Sequence, residues 1–212
     1  MILTVNEIFY SIQGESSYAG RPCVFVRLTG CNLRCAYCDT QYAYTEGKPI
    51  DIGDIVNQVT AFGCSLVEVT GGEPLMQENT PDLIRMLIEK GLTVLLETNG
   101  SMDISMVDAR CIRIMDVKCP GSREQDQHDP ENLNRLTDQD EVKFVISDRA
   151  DYEFARKTAA GLAGKPNPVY FSPVFGQIQP DLLVEWILQD RLNVRMQLQL
   201  HKYIWHPDQR GV

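Results

Sequence analysis

The chain has 212 residues, of which 43% are hydrophobic, and this is enough for one domain with a substantial core. Its formal charge of −9, from 20 Lys and Arg against 29 Asp and Glu, argues against a protein that follows the phosphates of a nucleic acid. No stretch approaches the roughly 18 uninterrupted apolar residues of a membrane span, and the first residues lack the pattern of a secretory signal, so we expect a cytoplasmic protein.

Extended and helical segments alternate along the chain. Segments rich in β-branched and aromatic residues lie at about 4–9, 23–29, 66–70, 92–97, 112–117, 141–146, 168–172 and 195–201. Amphipathic patterns predict helices near 53–62, 81–90, 150–160 and 181–190. Strands that alternate with helices favour a mainly parallel sheet with right-handed connections, and the units are too few for a closed eight-fold barrel. We therefore predict an α/β fold, an open partial barrel in one domain that spans residues 1–212.

Polar residues fall at or just after the ends of most predicted strands. They are Thr70, Glu97, Asp116 with Lys118, Ser147, Ser172 and His201. In parallel α/β folds this edge of the sheet carries the active site, so we expect these side chains to surround it. A polar excursion at about 121–132 (GSREQDQHDPEN) has no role that the sequence assigns.

Three of the seven cysteines, Cys31, Cys35 and Cys38, crowd into a predicted loop at about 30–40 that directly follows an apolar strand. This C-x3-C-x2-C spacing and the odd total suit metal ligation in a reducing compartment better than a set of disulfides. The remaining cysteines lie in or beside apolar segments and are predicted to be small buried hydrophobes: Cys23, Cys64, Cys111 and Cys119.

The cysteine loop is open to more than one chemistry. A cubane cluster has four irons, so three thiolates would leave one iron able to chelate the amino and carboxylate groups of S-adenosylmethionine. The alternative is a zinc site completed by His128, His201 or His206, or by a remaining cysteine. Structural zinc sites, however, usually take their ligands in two separated pairs, and no second pair is visible.

The loop resembles the signature of the radical S-adenosylmethionine superfamily, in which an aromatic residue, here Tyr37, precedes the third cysteine. The turn 71–74 (GGEP) is similar to the superfamily's turn at the amino group of the methionine moiety, and 97–100 (ETNG) resembles a second cofactor-binding turn. By this resemblance the residues that bind S-adenosylmethionine are Tyr37, Gly72, Glu73, Thr98, Asp116, Val117, Lys118, Ser172, Pro173, Val174 and Phe175.

Four further elements resemble the 7-carboxy-7-deazaguanine synthase family: 8–16 (IFYSIQGES), Arg27, Asp39 with Thr40, and 200–205 (LHKYIW). The resemblance spans nearly the whole chain. It implies a lyase that converts 6-carboxy-5,6,7,8-tetrahydropterin to 7-carboxy-7-deazaguanine with loss of ammonia, a step towards queuosine. Hydrogen abstraction from C6 by the 5′-deoxyadenosyl radical and contraction of the ring are the implied steps.

The family resemblance also implies roles for individual residues. The residues expected to bind the substrate are Ile12, Gln13, Gly14, Glu15, Arg27, Thr70 and His201. The fork of Arg27 would pair with the substrate carboxylate, and the hydroxyl of Thr40 would bind a Mg²⁺ ion there. No catalytic residue is assigned beyond the cluster. The implied partners are an electron-donor protein such as flavodoxin and a second copy of the chain in a homodimer.

Two alternatives stay open at the level of sequence. A glycyl-radical-enzyme activase would use the same three-cysteine loop but would need a groove for a peptide, whereas the segment 11–16 and Asp39 with Thr40 suit a small molecule. A non-enzymatic zinc-binding module is the alternative from another class.

Overall fold

The computed structural model describes residues 1–212, in which nine strands form one sheet. The strands are β1 (Ile2–Ile12), β2 (Pro22–Leu28), β3 (Lys48–Asp51), β4 (Leu66–Gly71), β5 (Thr93–Thr98), β6 (Ile112–Asp116), β7 (Glu141–Ile146), β8 (Val169–Pro173) and β9 (Arg195–Met196). Their order is β3-β1-β2-β4-β5-β6-β7-β8-β9. β1 is antiparallel to β2 and β3, and every pair from β2 to β9 is parallel. Since β3 and β9 are not paired, the barrel is open, as predicted.

The structure has six helices, of which the four longest pack on the outer face of the sheet. The six helices are α1 (Ile52–Ala61), α2 (Thr80–Glu89), α3 (Asn132–Arg135), α4 (Arg149–Ala160), α5 (Pro180–Gln189) and α6 (His201–Ile204), and short 3-10 turns lie at Gln41–Tyr44, Pro74–Met76, Ile104–Met106, Pro120–Ser122 and Gln125–Gln127. N-cap side chains explain where two of the helices begin: Asp51 caps the N-terminus of α1, and Asp148 caps that of α4. The four predicted helices are confirmed to within a residue or two. No helix is both long enough and apolar enough to cross a membrane.

Two predicted strands differ from the structure. β1 is longer than predicted because it pairs with both β2 and β3, and β3 was missed because a short edge strand that contains Pro49 carries little strand signal. The predicted strand at 195–201 is wrong beyond Met196. Gln197 binds the segment after β1 through its side chain, and His201 begins α6 instead of ending a strand.

The sheet has two different faces because successive side chains of a strand point to opposite sides. In β4, Val67 and Val69 pack beneath α1 and α2, whereas Glu68 and Thr70 face the inside of the barrel. In β7, Phe144 packs with α4, whereas Lys143 faces inward. Glu68 and Lys143, charged residues in the middle of two parallel strands, therefore lie on one concave face.

A buried ion pair joins β6 to the residues before β7. Asp140 is completely buried and accepts hydrogen bonds from the backbone N of Arg113 at 2.8 Å and from its Nη2 at 2.5 Å. The backbone N and the hydroxyl of Thr137 donate to the same carboxylate at 2.6 Å and 3.0 Å. Loss of this carboxylate would leave the guanidinium buried without a counter-charge.

We predict that Asp140→Ala lowers the free energy of unfolding by about 3–5 kcal/mol, as expected when one partner of a buried ion pair is removed. Urea denaturation measures the change, and Asp140→Asn, which keeps part of the hydrogen bonding, should lose less. Asp138→Ala is the control, since Asp138 is exposed on the same segment and its loss should leave the denaturation midpoint unchanged. Equal urea midpoints for Asp138→Ala and Asp140→Ala would contradict the prediction.

Candidate active site

The concave face of the sheet lines a cavity of about 480 Å³. The structure brings most of the predicted site residues to its wall: Ile12, Gln13, Gly14, Glu15, Arg27, Cys31, Cys35, Tyr37, Cys38, Thr40, Thr70, Gly72, Thr98, Asp116, Lys118, Val174, Phe175 and His201. Residues predicted to bind the cofactor and residues predicted to bind the substrate therefore share one cavity.

Four predicted cofactor-binding residues do not line the cavity. Glu73 is completely buried, and its carboxylate accepts hydrogen bonds from Leu75 N at 3.1 Å, Thr98 Oγ1 at 2.8 Å and Asn99 N at 2.7 Å. The carboxylate thus ties the turn after β4 to the turn after β5, where we expected it to face an ammonium group. The other three lie in the core or in buried backbone: Val117, Ser172 and Pro173.

The cysteine loop is held against the ends of β2 and β4. Gly30 N donates to Ala43 O at 2.9 Å, and Glu73 N donates to Gly30 O at 2.7 Å. A Cβ at Gly72 would collide with the Gly30 carbonyl, so only glycine allows this close approach. On the far side of the loop, Ala36 N donates to Ser122 O at 3.0 Å, which connects the loop to the polar excursion.

The donor set of this loop suits an iron-sulfur cluster. Cys31, Cys35 and Cys38 are free thiols, all three partly exposed to the cavity. No three His, Cys, Asp or Glu side chains converge on one point as the ligands of a single ion do, and the thiolates of a cubane bind different irons. The other cysteines lie outside the cavity: Cys23, Cys111 and Cys119 are buried as predicted, and Cys64 is half-buried.

A charged network forms the floor of the cavity. Lys143 Nζ lies 2.9 Å from Glu15 Oε2 and 2.5 Å from Glu97 Oε1, and Thr70 Oγ1 donates to Glu97 Oε2 at 3.1 Å. Although burial disfavours the charge of Lys143, Glu15 and Glu97 keep its pKa well above the usual value. Burial likewise opposes ionisation of Glu97, but Lys143 lowers the pKa of that carboxyl to about 2. Both groups are therefore charged at neutral pH.

Lys143 and Glu68 both line the floor of the cavity, but the sequence analysis did not predict either as a site residue. Lys143 and Glu68 each occupy the middle of an apolar strand, where a lone charged residue is unusual. Their charge could have identified them as site residues, because buried parallel strands are normally apolar throughout.

Arg27 lies at the side of the cavity in a frame of aromatic and acidic residues. Its Nε donates to Glu7 Oε1 at 2.8 Å, and the hydroxyl of Tyr42 donates to the same oxygen at 3.1 Å. The guanidinium carbon lies 5.9 Å from the ring centres of both Phe9 and Tyr42. Neither terminal nitrogen of Arg27 has a protein acceptor, so both are open to a ligand in the cavity.

The mouth of the cavity is covered by α6 and by the tail, which we define as residues 206–212. Lys202 pairs with Asp39 at 2.5 Å, and the ring of His201 packs so closely on Gly14 that a Cβ there would collide with it. In the tail, Arg210 pairs with Glu46 at 2.8 Å, and its guanidinium carbon lies 3.6 Å from the centre of the Tyr42 ring. Residues 207–212 thereby line the cavity, which sequence reasoning did not assign.

Part of the chain is similar to a known superfamily of enzymes. The sequence profile of the Radical SAM superfamily matches residues 25–115, the part that contains the cysteine loop and the turn after β4. The crystal structure of QueE from Escherichia coli has a similar fold, with a TM-score of 0.79 over 94% of each chain at 23% identity. Residues 25–115 thus match the radical SAM superfamily, in agreement with the cysteine loop that they contain.

Close relatives define the family. The 7-carboxy-7-deazaguanine synthase of Chlorobaculum tepidum is 49% identical over 99% of this chain and 97% of its own length. That of Koribacter versatilis is 45% identical over 99% of this chain and 100% of its own. The chain belongs to the 7-carboxy-7-deazaguanine synthase family, which confirms the resemblance seen in the sequence.

We predict that Arg210→Gln loosens the mouth of the cavity, because it removes both the pair with Glu46 and the stacking on Tyr42. Hydrogen exchange should become faster in residues 41–46 and in the tail, while the midpoint of thermal unfolding stays unchanged. Arg191→Gln is the control, since Arg191 is exposed and has no carboxylate partner. If exchange in both segments matched the wild type, the tail would not depend on Arg210.

Proposed function

We propose that this protein converts 6-carboxy-5,6,7,8-tetrahydropterin to 7-carboxy-7-deazaguanine and ammonia. The observation that carries the proposal is the single cavity that joins three free thiols to an arginine with both terminal nitrogens open. A carboxylated substrate could thus be held beside the cofactor that activates it. Product and ammonia together contain the atoms of the substrate, so the conversion consumes no net oxidant or reductant.

Cys31, Cys35 and Cys38 would hold a 4Fe-4S cluster. With S-adenosylmethionine bound, this cluster supplies the 5′-deoxyadenosyl radical that takes hydrogen from C6 of the pterin. The wall next to the cysteines is formed by residues that we assign to the cofactor: Tyr37, Gly72, Thr98, Asp116, Lys118, Val174 and Phe175. Lys118 Nζ pairs with Asp116 Oδ2 at 2.7 Å, so the two charges balance each other in this part of the wall.

The carboxylate of the substrate would pair with Arg27. A guanidinium matches a carboxylate with two parallel hydrogen bonds, and the pair of Arg27 Nε with Glu7 fixes the direction of the open edge. Thr40 lies on the same wall and offers a hydroxyl to a Mg²⁺ ion, which prefers oxygen ligands and retains several waters. Phe9 and Phe25, stacked with ring centres 4.9 Å apart, supply an apolar surface for the heterocycle.

The floor would meet the nitrogen-rich part of the pterin. Glu97 is held ionised by Lys143 and can accept hydrogen bonds from ring or amino N–H groups. Burial lowers the pKa of His201, so its imidazole is neutral at pH 7 and can donate from one nitrogen and accept at the other. With α6 and the tail over the mouth, the chain keeps bulk water from a radical formed inside.

A covered cavity of this size suits a small molecule better than a glycyl radical activase, which must admit a peptide from a partner protein. We propose in addition that a protein such as flavodoxin delivers the electron, that the chain acts as a homodimer, and that it works in the cytoplasm.

Anaerobic reconstitution of the protein with iron and sulfide, followed by reduction with the pterin and S-adenosylmethionine, tests the function by mass analysis of the products. We predict formation of 7-carboxy-7-deazaguanine by the wild type, and neither this product nor 5′-deoxyadenosine by Cys35→Ala, which lacks one cluster ligand. Cys64→Ala removes a thiol outside the cavity and should retain iron and activity. Product formation by Cys35→Ala would refute the ligand assignment, and a wild type that leaves the pterin unchanged would refute the function.

Thr40→Val keeps the shape of the side chain and removes its hydroxyl. We predict that this variant assembles the cluster normally but loses most of the stimulation of product formation by Mg²⁺. Titration of Mg²⁺ against the initial rate measures the effect, and Thr45→Val, at an exposed position outside the cavity, is the control. A Thr40→Val enzyme with the wild-type Mg²⁺ dependence would remove Thr40 from the metal site.

A further inference from the structure

Glu68 is a buried carboxyl group in the cavity floor to which the proposed function gives no role. It lies in the middle of β4, opposite Phe25 in β2 and Leu95 in β5, and only 4% of its surface is exposed. Its side chain faces the cavity, because its neighbours Val67 and Val69 pack on the outer face of the sheet. An acid at this depth meets only protein groups and whatever occupies the cavity.

The hydrogen bonds of Gln13 determine which part of Glu68 is available. Glu15 N donates to Gln13 Oε1 at 3.1 Å, and because a backbone N–H can only donate, the amide oxygen must point towards it. The amide nitrogen of Gln13 is then directed at Glu68 Oε2 and donates to it. Glu68 Oε2 is therefore an acceptor, and since Gln13 is the one residue that hydrogen-bonds to this carboxyl group, Oε1 has no protein partner.

No cation is available to balance a negative charge on Glu68. Lys143 is shared by Glu15 and Glu97, Lys118 is paired with Asp116, and Arg27 is paired with Glu7. The groups that face Glu68 are uncharged, acidic or already paired: Gln13 and Glu15 after β1, Cys23 on β2, Glu97 on β5 and Lys143 on β7. A second charged carboxylate on this floor would be both desolvated and next to Glu97.

We propose that Glu68 is an uncharged carboxylic acid in the folded enzyme and that its Oε1 hydroxyl donates a hydrogen bond to an acceptor on the bound heterocycle. Burial, and next to it the charge of Glu97, raise the pKa of Glu68 to about 8, which agrees with this state. The acceptor would be a carbonyl oxygen or an unprotonated ring nitrogen, so Glu68 selects ligands by an acceptor at this position. The identity of the heterocycle rests on the proposed function, whereas the protonation state does not.

The protonation state has a consequence for the stability of the protein without any ligand. In the unfolded chain Glu68 ionises near the ordinary carboxyl value, whereas in the folded protein it keeps its proton up to a pH of about 8. The folded state thus binds more protons between these limits, and the contribution of Glu68 to stability is present at low pH and declines as the pH rises. Glu68→Gln keeps the hydrogen bonding of the neutral acid and cannot ionise.

We predict that the gain in stability of Glu68→Gln over the wild type grows between about pH 5 and pH 8, by up to about tenfold in the unfolding equilibrium constant per pH unit, the limit for one proton. Urea denaturation at several pH values measures it on the protein without cluster, and Glu78→Gln, the same change at an exposed position, is the control. A difference that stays constant with pH would show that Glu68 is ionised in the folded protein and would overturn the inference.

A binding experiment tests the hydrogen bond to the heterocycle. Calorimetry with 7-carboxy-7-deazaguanine as the probe should show wild-type affinity for Glu68→Gln, and a loss of about 10- to 100-fold for Glu68→Leu, which cannot donate. Affinity of the wild type should fall above about pH 8 while that of Glu68→Gln does not. Equal affinities for all three proteins would overturn the recognition role.

The two failures are distinguishable. If the wild type forms the deazaguanine product but the stability experiment shows an ionised Glu68, this inference falls and the proposed function stands. If neither the pterin nor the deazaguanine binds, the proposed function falls together with the recognition role of Glu68.

Discussion

The sheet carries Arg27, Glu97 and Lys143 within its parallel strands because strand alternation turns all three to one concave face, where each has an oppositely charged partner. Lys143 is the centre of this arrangement, since it neutralises Glu15 and Glu97 in a place with little access to bulk water. Without that cation two buried carboxylates would be left unpaired, at a cost that a fold of ordinary stability could not easily sustain. The ion pairs of Lys143 thus determine the charges on the cavity floor and are also needed for the stability of the fold.

Two separate systems position the halves of the cavity. The cysteine loop is held by backbone contacts at Gly30 and Gly72 and by the buried Glu73 carboxylate, which connects the turns after β4 and β5. The opposite half depends on side chains that come from distant parts of the chain, with Tyr42 packed between Arg27 and Arg210. Backbone contacts thus position the half with the cysteine loop, while α6 and the tail cover the opposite half.

Much of the fold and of the site could be predicted because the relevant signals are local. Segments rich in β-branched and aromatic residues, together with helical patterns, located the α/β units, and the helices agree to within a residue or two. The strand prediction was wrong at 197–201, where binding to the segment after β1 overrides a weak strand pattern. The sequence also did not reveal that the carboxylate of Glu73, predicted to bind the cofactor, accepts hydrogen bonds from neighbouring donors. Edge strand β3 was missed because its pairing with β1, and not its own sequence, makes it a strand.

By itself the sequence determined the family, because the cysteine loop and the other segments that resemble the family are local patterns. It also predicted a mainly parallel sheet with the site at its carboxyl edge, since both follow from the order of strands and helices along the chain. Only the tertiary structure decided which charges meet, since Lys143 reaches Glu15 across 128 residues of sequence. It likewise decided that the tail lines the cavity and that the cation near Glu68, Lys143, is paired with other carboxylates. Both depend on how segments distant in the sequence pack in space.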